Sequence, residues 1–376
     1  MEIKQINPQR TDEIRQFIDL PFTIYQDNPQ WVPPLSTDSR RIFDLDRNPF
    51  YKEGEAAFFL ALSESGRPAG RIAIINNHKY NGFNRESTAF FYLFECIDKE
   101  EIALGLFDSA IRWAMKRGLN KIIGPKGFTV FDGLGLLVAG FEYRPAFGLP
   151  YNPEYYSRLI ESAGFTKESE LVSGYLDHQI HFPERILELG RRLSQRRGLF
   201  IKEIRTRRDL RLIIPHLKNL YNSSLGETSG TYPLSDEEVE SLANQMLWFA
   251  DPRLIKIVMR EETPVGFLFA YPDISAAVQK IKGKVFPLGW IRLLLELKRT
   301  QWININGAGL IEQYRGSGGT ALLFSEMYNS VLGSRYKYAD IVQIGVDNDR
   351  MQREMANFGI NFYKKHRLYC RSISPS

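Results

Sequence analysis

A glycine-rich turn between a strand pattern and a helix pattern constrains this chain more than any other feature. Residues 302–306 form a strand-like run, and an amphipathic helix pattern follows the glycines at 316, 318 and 319. Such glycines let successive backbone N–H groups point into one concavity, and the first turn of a helix adds unpaired donors and a positive dipole end. Arg315 adds a cation beside them. The turn therefore predicts a binding site for a pyrophosphate.

The spacing of this turn excludes two familiar nucleotide-binding fingerprints. A P-loop needs Lys followed by Ser or Thr after its glycines, and neither stands here. A GxGxxG dinucleotide turn would need its third glycine at the position of Ala321, with an acidic residue after the next strand. A plain strand-to-helix turn that happens to be rich in glycine remains the alternative interpretation.

The same turn resembles the Gln/Arg-x-x-Gly-x-Gly/Ala pyrophosphate loop of the GNAT (Gcn5-related) N-acyltransferases. Arg315-Gly316-Ser317-Gly318-Gly319 supplies that pattern, with Leu310 where the family usually has Val. The resemblance implies that acetyl-CoA or a longer acyl-CoA lies across the turn as a cosubstrate. The cofactor-binding residues that it implies are Leu310, Arg315, Gly316, Ser317, Gly318, Gly319, Thr320 and Asn348.

Composition narrows the class of protein and its partners. A chain of 376 residues is long for one core, so we expect two domains. Two cysteines form no disulfide framework, and the sequence starts without a charged-then-apolar leader, which together predict a cytoplasmic protein. The net charge of +5 would suit nucleic acid, an anionic lipid surface or CoA. The basic segment 191–208 contains one aromatic residue, Phe200, so we expect no nucleic-acid partner. The five histidines are not spaced as metal ligands.

The first half of the chain predicts a GNAT-like order of elements without the CoA loop. Residues 57–63, 69–76 and 88–96 read as strands, residues 100–118 as a helix, and residues 127–140 as a loop. Residues 152–165 resemble the closing element of a GNAT domain, Asn-x-x-x-Tyr followed by Gly-Phe. After Cys96, however, residues 97–101 contain acidic groups and no glycine, so we expect this half not to bind CoA.

The second half repeats the first within the chain itself. Residues 201–204 echo residues 3–6, and residues 263–266 echo residues 67–70. We therefore predict a degenerate N-terminal domain over 1–180, a helical linker over 181–198 and a CoA-binding domain over 199–376. A helical insert over 274–300 separates two strands of the second domain.

Across nearly its whole length the chain resembles a family of bacterial two-domain GNAT proteins, and dispersed short matches carry the resemblance: residues 28–35, 48–50, 70–72, 124–125, 152–156, 251–252, 264–267, 272–273, 348–351, Gly359, Tyr363, Lys364, Arg367 and Tyr369. It implies an α/β (α+β) fold of two tandem GNAT-like domains, each a mixed, mostly antiparallel sheet flanked by helices. It also implies an acyl-CoA-dependent N-acyltransferase that acts on a primary amine by direct attack, and some relatives acylate long-chain amino bases. The alternative is a non-catalytic acyl-CoA sensor or scaffold. The chain departs from the family at Asp340, Gln343 and Val346, which leaves the acceptor and the base open.

The chemistry of amine acylation requires three roles. An ammonium with a pKa of about 10 must lose a proton, the tetrahedral oxyanion needs donors, and the departing thiolate needs a proton. Backbone N–H groups near Leu310 are candidate oxyanion donors. For the acid we expect Tyr363, at the position matching the closing-helix tyrosine of the family, with Tyr369 second; either ring could instead only pack against the sheet. The candidate bases are Glu312, Asp347 and Asp340, or a chain of waters.

Two loops and the insert are expected to shape the acceptor site. Residues 28–35 and 127–140 are irregular and rich in proline, glycine or aromatic residues, and Trp31 and Tyr155 are the predicted substrate-binding residues. Residues 286–302 form an apolar helix with one narrow polar stripe, too short to cross a bilayer. Three placements of this helix are open: between the two domains, over an acyl-chain channel, or on the inner membrane surface. Either of the last two would suit a lipid-like amine better than a small one.

Overall fold

The computed structural model describes residues 1–177, 183–225, 231–247, 249–315 and 318–373. We call residues 1–177 the first copy. Its elements are strands β1 (Glu2–Gln5), β2 (Gly54–Leu62), β3 (Pro68–Asn77), β4 (Thr88–Cys96), β5 (Lys121–Gly124), β6 (Leu136–Ala139) and β7 (Thr166–Asp177), with helices α1 (Thr11–Ile24), α2 (Ser36–Arg41), α3 (His78–Asn84), α4 (Glu100–Met115) and α5 (Tyr156–Ser162).

The second copy comprises the described residues from 183 onward. Its helices are α6 (Glu184–Arg197), α7 (Arg207–Leu225), α8 (Asp236–Leu247), α9 (Ser275–Lys280), α10 (Gly289–Arg299), α11 (Gly319–Val331) and α12 (Asp349–Asn357). Its strands are β8 (Leu199–Ile201), β9 (Ile255–Arg260), β10 (Thr263–Pro272), β11 (Trp302–Leu310), β12 (Tyr338–Gly345) and β13 (Asn361–Ser372). Short 3-10 turns occupy Pro49–Lys52, Pro252–Leu254 and Glu312–Tyr314.

Matching bulges support the repeat that the sequence predicts. In β4 two residues, Leu93 and Phe94, face a single residue of β3, and Leu93 has a φ of 51°. In β11 two residues, Asn306 and Gly307, face a single residue of β10, and Gly307 has a φ of 119°. Before its bulge, each of these strands pairs in parallel with the following strand of its own copy: β4 with β5, and β11 with β12. The bulge bends β4 and β11 at equivalent positions, just beyond the point where each strand stops pairing with β5 or β12.

The described strands form one continuous sheet of 13 strands. Apart from β6, which pairs with β13, its order is β1-β2-β3-β4-β5-β13-β7-β12-β11-β10-β9-β8. The last strand of each copy therefore lies in the sheet of the other, since β13 pairs with β5 and β7 pairs with β12. This exchange ties the two copies together through main-chain hydrogen bonds as well as side chains. The mixed, mostly antiparallel sheet flanked by helices confirms the predicted fold class.

Separate apolar cores lie on the faces of each half of the sheet. Helices α4 and α5 cover one face of the first copy, where Leu106, Phe107 and Tyr156 are buried. Helix α11 covers the corresponding face of the second copy, where Leu323 and Met327 are buried. This placement follows from the amphipathic pattern of each helix, because one apolar stripe must be removed from water. The domain boundary predicted at residue 180 lies outside the described residues, so the division into 1–180, 181–198 and 199–376 stays a prediction.

Two predicted segments differ from expectation in detail. The insert contains two helices, α9 and α10, and α9 packs with Leu35 of the first copy in a small core of its own. The predicted loop over 127–140 contains the strand β6, whose Leu136 and Leu137 are buried against β13. The abundance of glycine in that segment hid a strand of only four residues.

Candidate active site

A cavity of about 1280 Å³ lies between the two copies. Both copies contribute to its wall. The lining includes Tyr92 and Glu95 of β4 in the first copy, and Asn306 and Gly307 of β11 in the second. Most of the lining side chains are apolar or aromatic, with a few carboxylates and two arginines at the first-copy side. A cavity of this size and lining is typical of a binding site for an organic ligand.

The second-copy end of the cavity is an opening between two strands. Strands β11 and β12 pair in parallel only as far as Ile305 and Ile341, and beyond these residues the strands diverge. Asn306, Gly307 and Gln343 line the cavity at this opening. The unpaired backbone edges of two separating strands offer hydrogen-bond donors and acceptors to an extended ligand.

The corresponding opening in the first copy is closed by its own backbone. The Lys126 N–H donates to the Phe91 carbonyl oxygen at 2.9 Å, which continues the contact between the segments after β4 and β5 have stopped pairing. A Cβ atom on Gly124 would lie 2.4 Å from the same oxygen. The strands of the first copy are therefore too close together for a ligand to insert between them.

The predicted CoA loop connects β11 to α11 beside the opening. Gly318 begins the helix with a φ of 90°, a conformation that favours glycine. Gly319 is buried, and a Cβ there would lie 2.8 Å from a Leu310 methyl carbon, so the helix start packs directly on the strand end. Thr320 follows in the first helical turn, where backbone N–H groups have no partner within the helix. Gly316 and Ser317 lie outside the described residues.

Arg315 and Asn348 both stabilise backbone near this opening. Arg315 donates from Nε to the Leu310 carbonyl at 3.2 Å and from Nη2 to the Ser224 carbonyl at 2.7 Å. Its guanidinium therefore joins the loop to α7 and leaves its charge near the loop. Asn348 lines the cavity and caps α12, accepting from the Met351 N–H at 3.1 Å.

Of the predicted bases, two are exposed and one is buried. Glu312 lies in a 3-10 turn, Asp347 precedes α12, and both are exposed. Asp340 is buried on β12 and accepts at Oδ2 from Lys364 at 3.0 Å and from the Tyr363 hydroxyl at 2.7 Å. Burial raises the pKa of Asp340, although the Lys364 ammonium opposes the rise. None of the three belongs to the described residues that line the cavity.

The predicted acid Tyr363 lies on β13, so its assignment to the closing helix is wrong. The first-copy pattern places Tyr156 four residues after Asn152, and the same offset from Asn348 reaches Gln352 of α12. Burial raises the pKa of Tyr363, and the neighbouring Asp340 raises it further. Such a phenol holds its proton, which is a requirement for an acid but also a property of any buried tyrosine.

The other predicted aromatic residues are divided between the cavity and the first-copy core. Trp31 lines the cavity and stacks on Tyr25, with ring centroids 4.7 Å apart. Tyr369 is fully buried in the core of the first copy and donates to Glu161 at 3.1 Å. Tyr155 packs beside that core, with its hydroxyl donating to the Cys96 carbonyl at 2.8 Å. The structure therefore brings Trp31 to the cavity and keeps both tyrosines out of its described lining.

A buried polar group on the first-copy side was missed by the sequence analysis. Glu95 accepts from the hydroxyls of Tyr25 and Tyr156 at 2.8 Å each and lies 3.6 Å from a guanidinium nitrogen of Arg71. Burial raises the pKa of Glu95, and Arg71 opposes the rise. A charged residue within an otherwise apolar strand pattern was the available signal, because buried charges require partners.

Two proteins are similar to this chain along nearly all of its length. "Protein YghO" of Escherichia coli (strain K12) is 25% identical over 370 residues, covering 96% of this chain and 93% of that protein. "Bacterial ceramide synthase" of Caulobacter vibrioides (strain NA1000 / CB15N) is 25% identical over 379 residues, covering 96% and 95%. No protein-family model matches the chain.

Among solved structures, a "Tandem GNAT protein from the clavulanic acid biosynthesis pathway" matches with a TM-score of 0.59 at 13% identity. The match covers 100% of this chain and 99% of that one. The chain has a tandem GNAT fold. The predicted resemblance is thereby confirmed at the level of the fold.

Proposed function

We propose that this protein is an acyl-CoA-dependent N-acyltransferase that transfers an acetyl or longer acyl group to a primary amine. The observation that carries the proposal is the continuous cavity from the β11/β12 opening to the first copy. The opening lies beside the start of α11, where backbone donors and a positive dipole end suit a pyrophosphate. An acyl-CoA bound there extends its acylated thiol arm between the separated strands and presents the thioester inside the cavity.

The remaining volume leaves room for an amine on the other side of the thioester. The lining at that side comes from the first copy, including Trp31 and Phe128. Direct attack needs both reactants held together, and a shared cavity supplies this without a covalent enzyme intermediate. Backbone N–H groups around the bulge at Asn306 and Gly307 are the proposed donors to the oxyanion.

We further propose that the acceptor is lipid-like and that the protein contacts a membrane surface. Phe286 and Leu288 are 74% and 67% exposed at the start of α10, next to Trp290 and Leu294, which line the cavity. Exposed cations accompany them: Lys282, Lys284, Arg292, Lys298 and Arg299. Apolar residues flanked by cations are typical of a segment that inserts into an anionic lipid interface. The similarity to a protein named bacterial ceramide synthase supports the same substrate class. Within the described residues, no helix is both long and apolar enough to cross a bilayer.

One observation favours the alternative of an acyl-CoA sensor. Gln352 stands in α12 where the first copy has Tyr156, and Gln352 donates to the Gly345 carbonyl at 3.4 Å. The second copy therefore has no tyrosine at that point of its closing helix to protonate a thiolate. A sensor would bind acyl-CoA and leave the thioester intact.

Thiol release separates the two functions. Acyl-CoA substrates of 2 to about 16 carbons are incubated with the protein and with octylamine or a long-chain amino alcohol, and free thiol and amide are both quantified. Amine-dependent thiol release with equal amide supports the enzyme, and saturable CoA binding without release supports the sensor. A preference for long acyl chains supports the lipid-like acceptor.

Vesicle sedimentation tests the membrane contact separately. We expect binding to vesicles that contain anionic phospholipid, and weaker binding by a Phe286→Ser/Leu288→Ser variant. Leu332→Ser is the matched control, because Leu332 is 65% exposed at the end of α11, away from the cavity lining. Equal sedimentation of all three proteins would contradict the membrane contact.

A further inference from the structure

The segment between β5 and β6 reaches from the first copy to the second. The Leu134 N–H donates to the Gln343 side chain at 3.0 Å, and the Gln343 amide donates back to the Leu134 carbonyl. Phe131 contacts Tyr221 of α7, with ring centroids 5.5 Å apart. Asp132 lies between these two contacts and lines the cavity. The chain thus holds a first-copy carboxylate against the second-copy wall.

The backbone around Asp132 fixes the position of its carboxylate. Oδ2 accepts from the Thr129 N–H at 2.8 Å. A Cβ atom on Gly127 would lie 2.5 Å from the same Oδ2, so the side chain packs closely over Gly127, and no larger residue fits there without displacing it. A carboxylate that is positioned before any ligand binds can act on the ligand without reorganisation.

Asp132 differs from two other carboxylates that line the cavity. Glu95 is paired with Arg71, and Glu238 is paired with Lys79. Among the described residues Asp132 forms no ion pair, and the nearby Asp38 carries the same sign of charge. Burial raises the pKa of Asp132, while hydrogen bonds from Thr129 oppose the rise. An unpaired, half-buried carboxylate of this kind is stabilised by an incoming cation.

We propose that Asp132 binds the ammonium group of the acceptor and accepts the proton that the ammonium loses before attack. This inference rests on the proposed N-acyltransferase function and names the residue that recognises the acceptor amine. This role would also explain why the first copy, which has no CoA loop, has an ordered segment between β5 and β6 that contacts the second copy. The first copy supplies the amine site and the second copy supplies the CoA site.

The proposed step balances its bonds and protons. Asp132 takes one proton from the ammonium, and the neutral nitrogen forms a C–N bond with the thioester carbonyl carbon. The C–S bond then breaks, and the second proton of the nitrogen ends on the departing thiolate, giving the amide and free CoA. Asp132 releases its proton to solvent, so one proton is produced for each amide formed.

Kinetics of Asp132→Asn provide the first test. The asparagine keeps the shape and can still accept from Thr129, but it neither attracts an ammonium nor accepts its proton. We expect kcat/KM for the amine to fall by on the order of 100-fold or more, with unchanged affinity for acyl-CoA. Asp108→Asn is the matched control, because Asp108 is exposed on α4 and does not line the cavity. Asp132→Ser is a second variant in case the asparagine protein does not fold.

Direct binding of an amine tests the same residue without any turnover. Octylammonium and the uncharged octanol are titrated calorimetrically into the wild-type protein and into the variants in the presence of CoA. We expect the wild type to prefer octylammonium over octanol by at least about 10-fold, and Asp132→Asn to lose that preference. If the wild type releases no thiol but shows this preference, the proposed function fails and the amine site stands. An unchanged preference or an unchanged kcat/KM in the variants overturns the assignment of Asp132.

Discussion

The turns that follow β4 and β11 occupy equivalent places in the two copies and are built differently. After β4 the chain enters α4 through Lys99, whose side chain makes no capping hydrogen bond, and two glutamates occupy the first helical turn. After β11 a 3-10 turn and Arg315 precede Gly318, which starts α11 in the left-handed conformation. Only the second turn combines a cation, a glycine and free helical N–H groups. We infer that the same fold provides either an anion site or an ordinary helix start, depending on the few residues that precede the helix.

The strands that precede these turns also differ between the copies, because only that of the second copy separates from its parallel neighbour. In the first copy, Phe91 and Lys126 remain hydrogen-bonded beyond the β4/β5 pairing, whereas β11 and β12 separate after Ile305 and Ile341. The copy with the proposed anion site is thus also the copy whose strands separate, which is where we propose that the thiol arm enters. We propose that the two copies have divided the substrates between them, with β7 and β13 exchanged between the copies so that the two proposed sites lie side by side.

Each copy contains a buried ion pair, and removing one partner of either pair should cost a similar amount of stability at pH 7. Asp340→Asn leaves Lys364, and Glu95→Gln leaves Arg71, each buried without its counter-charge. We expect either change to lower the free energy of unfolding by roughly 3–5 kcal/mol at pH 7, measured by urea denaturation.

The pH dependence distinguishes the two pairs. Burial already lowers the pKa of Lys364. In Asp340→Asn the folded state holds Lys364 neutral while the unfolded state binds its proton, so stability rises as pH increases toward 10.5. Arg71 cannot lose its proton, so the Glu95→Gln penalty stays constant between pH 7 and 9. An Asp340→Asn/Lys364→Met variant is the control and should recover most of the loss. Equal pH dependence of the two single variants would break the comparison.

Substitution of the glycine that starts α11 should abolish CoA binding. Gly318→Glu places a negative charge where we expect the pyrophosphate, and calorimetry should show a loss of affinity of on the order of 100-fold or more. Gly318→Ala separates backbone strain from charge. Gly118→Glu, at a φ of 71° after α4, introduces the same side chain at an exposed glycine of the first copy and should leave CoA binding unchanged. Retained CoA affinity in Gly318→Glu would show that the loop is only a turn.

We expect buried His366 to lower the stability of the folded protein in acid. His366 is buried on β13 with Nε2 3.2 Å from the Pro150 carbonyl oxygen, and burial lowers its pKa from 6.5 to about 4. Since the unfolded chain takes up this proton below pH 6.5 and the folded chain does not, stability is lost as pH falls below 6.5. We expect His366 to contribute a loss of about 2 kcal/mol between pH 7.5 and 5, which His366→Gln should remove. Parallel pH profiles for both proteins would contradict this assignment.

Trp31 should have the smallest effect, and the effect should fall on the amine side of the site. Trp31→Ala removes a ring that stacks on Tyr25 at the cavity wall. We expect KM for a long-chain amine to rise roughly 10-fold per folded molecule, with CoA affinity unchanged, because a half-buried aromatic contributes about 1–2 kcal/mol of apolar contact. A loss of stability without a change in turnover would make the residues around Trp31 purely structural.

Local patterns predicted most strands and the glycine turn before α11, because both depend on short-range features; the binding of CoA at this turn stays a prediction. The alternation of apolar and polar residues predicted the strands, and the spacing of the glycines predicted where α11 begins. The exchange of β7 and β13 could not be predicted, since it depends on pairing between residues such as Tyr369 and Gly124 that are far apart in the chain. The contact of Leu134 with Gln343 also joins residues that are far apart in the chain, so neither this contact nor the position of Asp132 could be predicted. An aspartate enclosed by aromatic residues and glycine, at residues 127–133, was the only local signal.

Hydrogen–deuterium exchange with one ligand at a time tests the division of substrates most directly. The protein is incubated with CoA alone, with octylammonium alone, or with neither. We expect CoA to slow exchange in peptides from β11 and the first turns of α11. Octylammonium should instead slow exchange in peptides that cover residues 127–140. Protection of the same second-copy peptides by both ligands, with residues 127–140 unchanged, would contradict the proposed division.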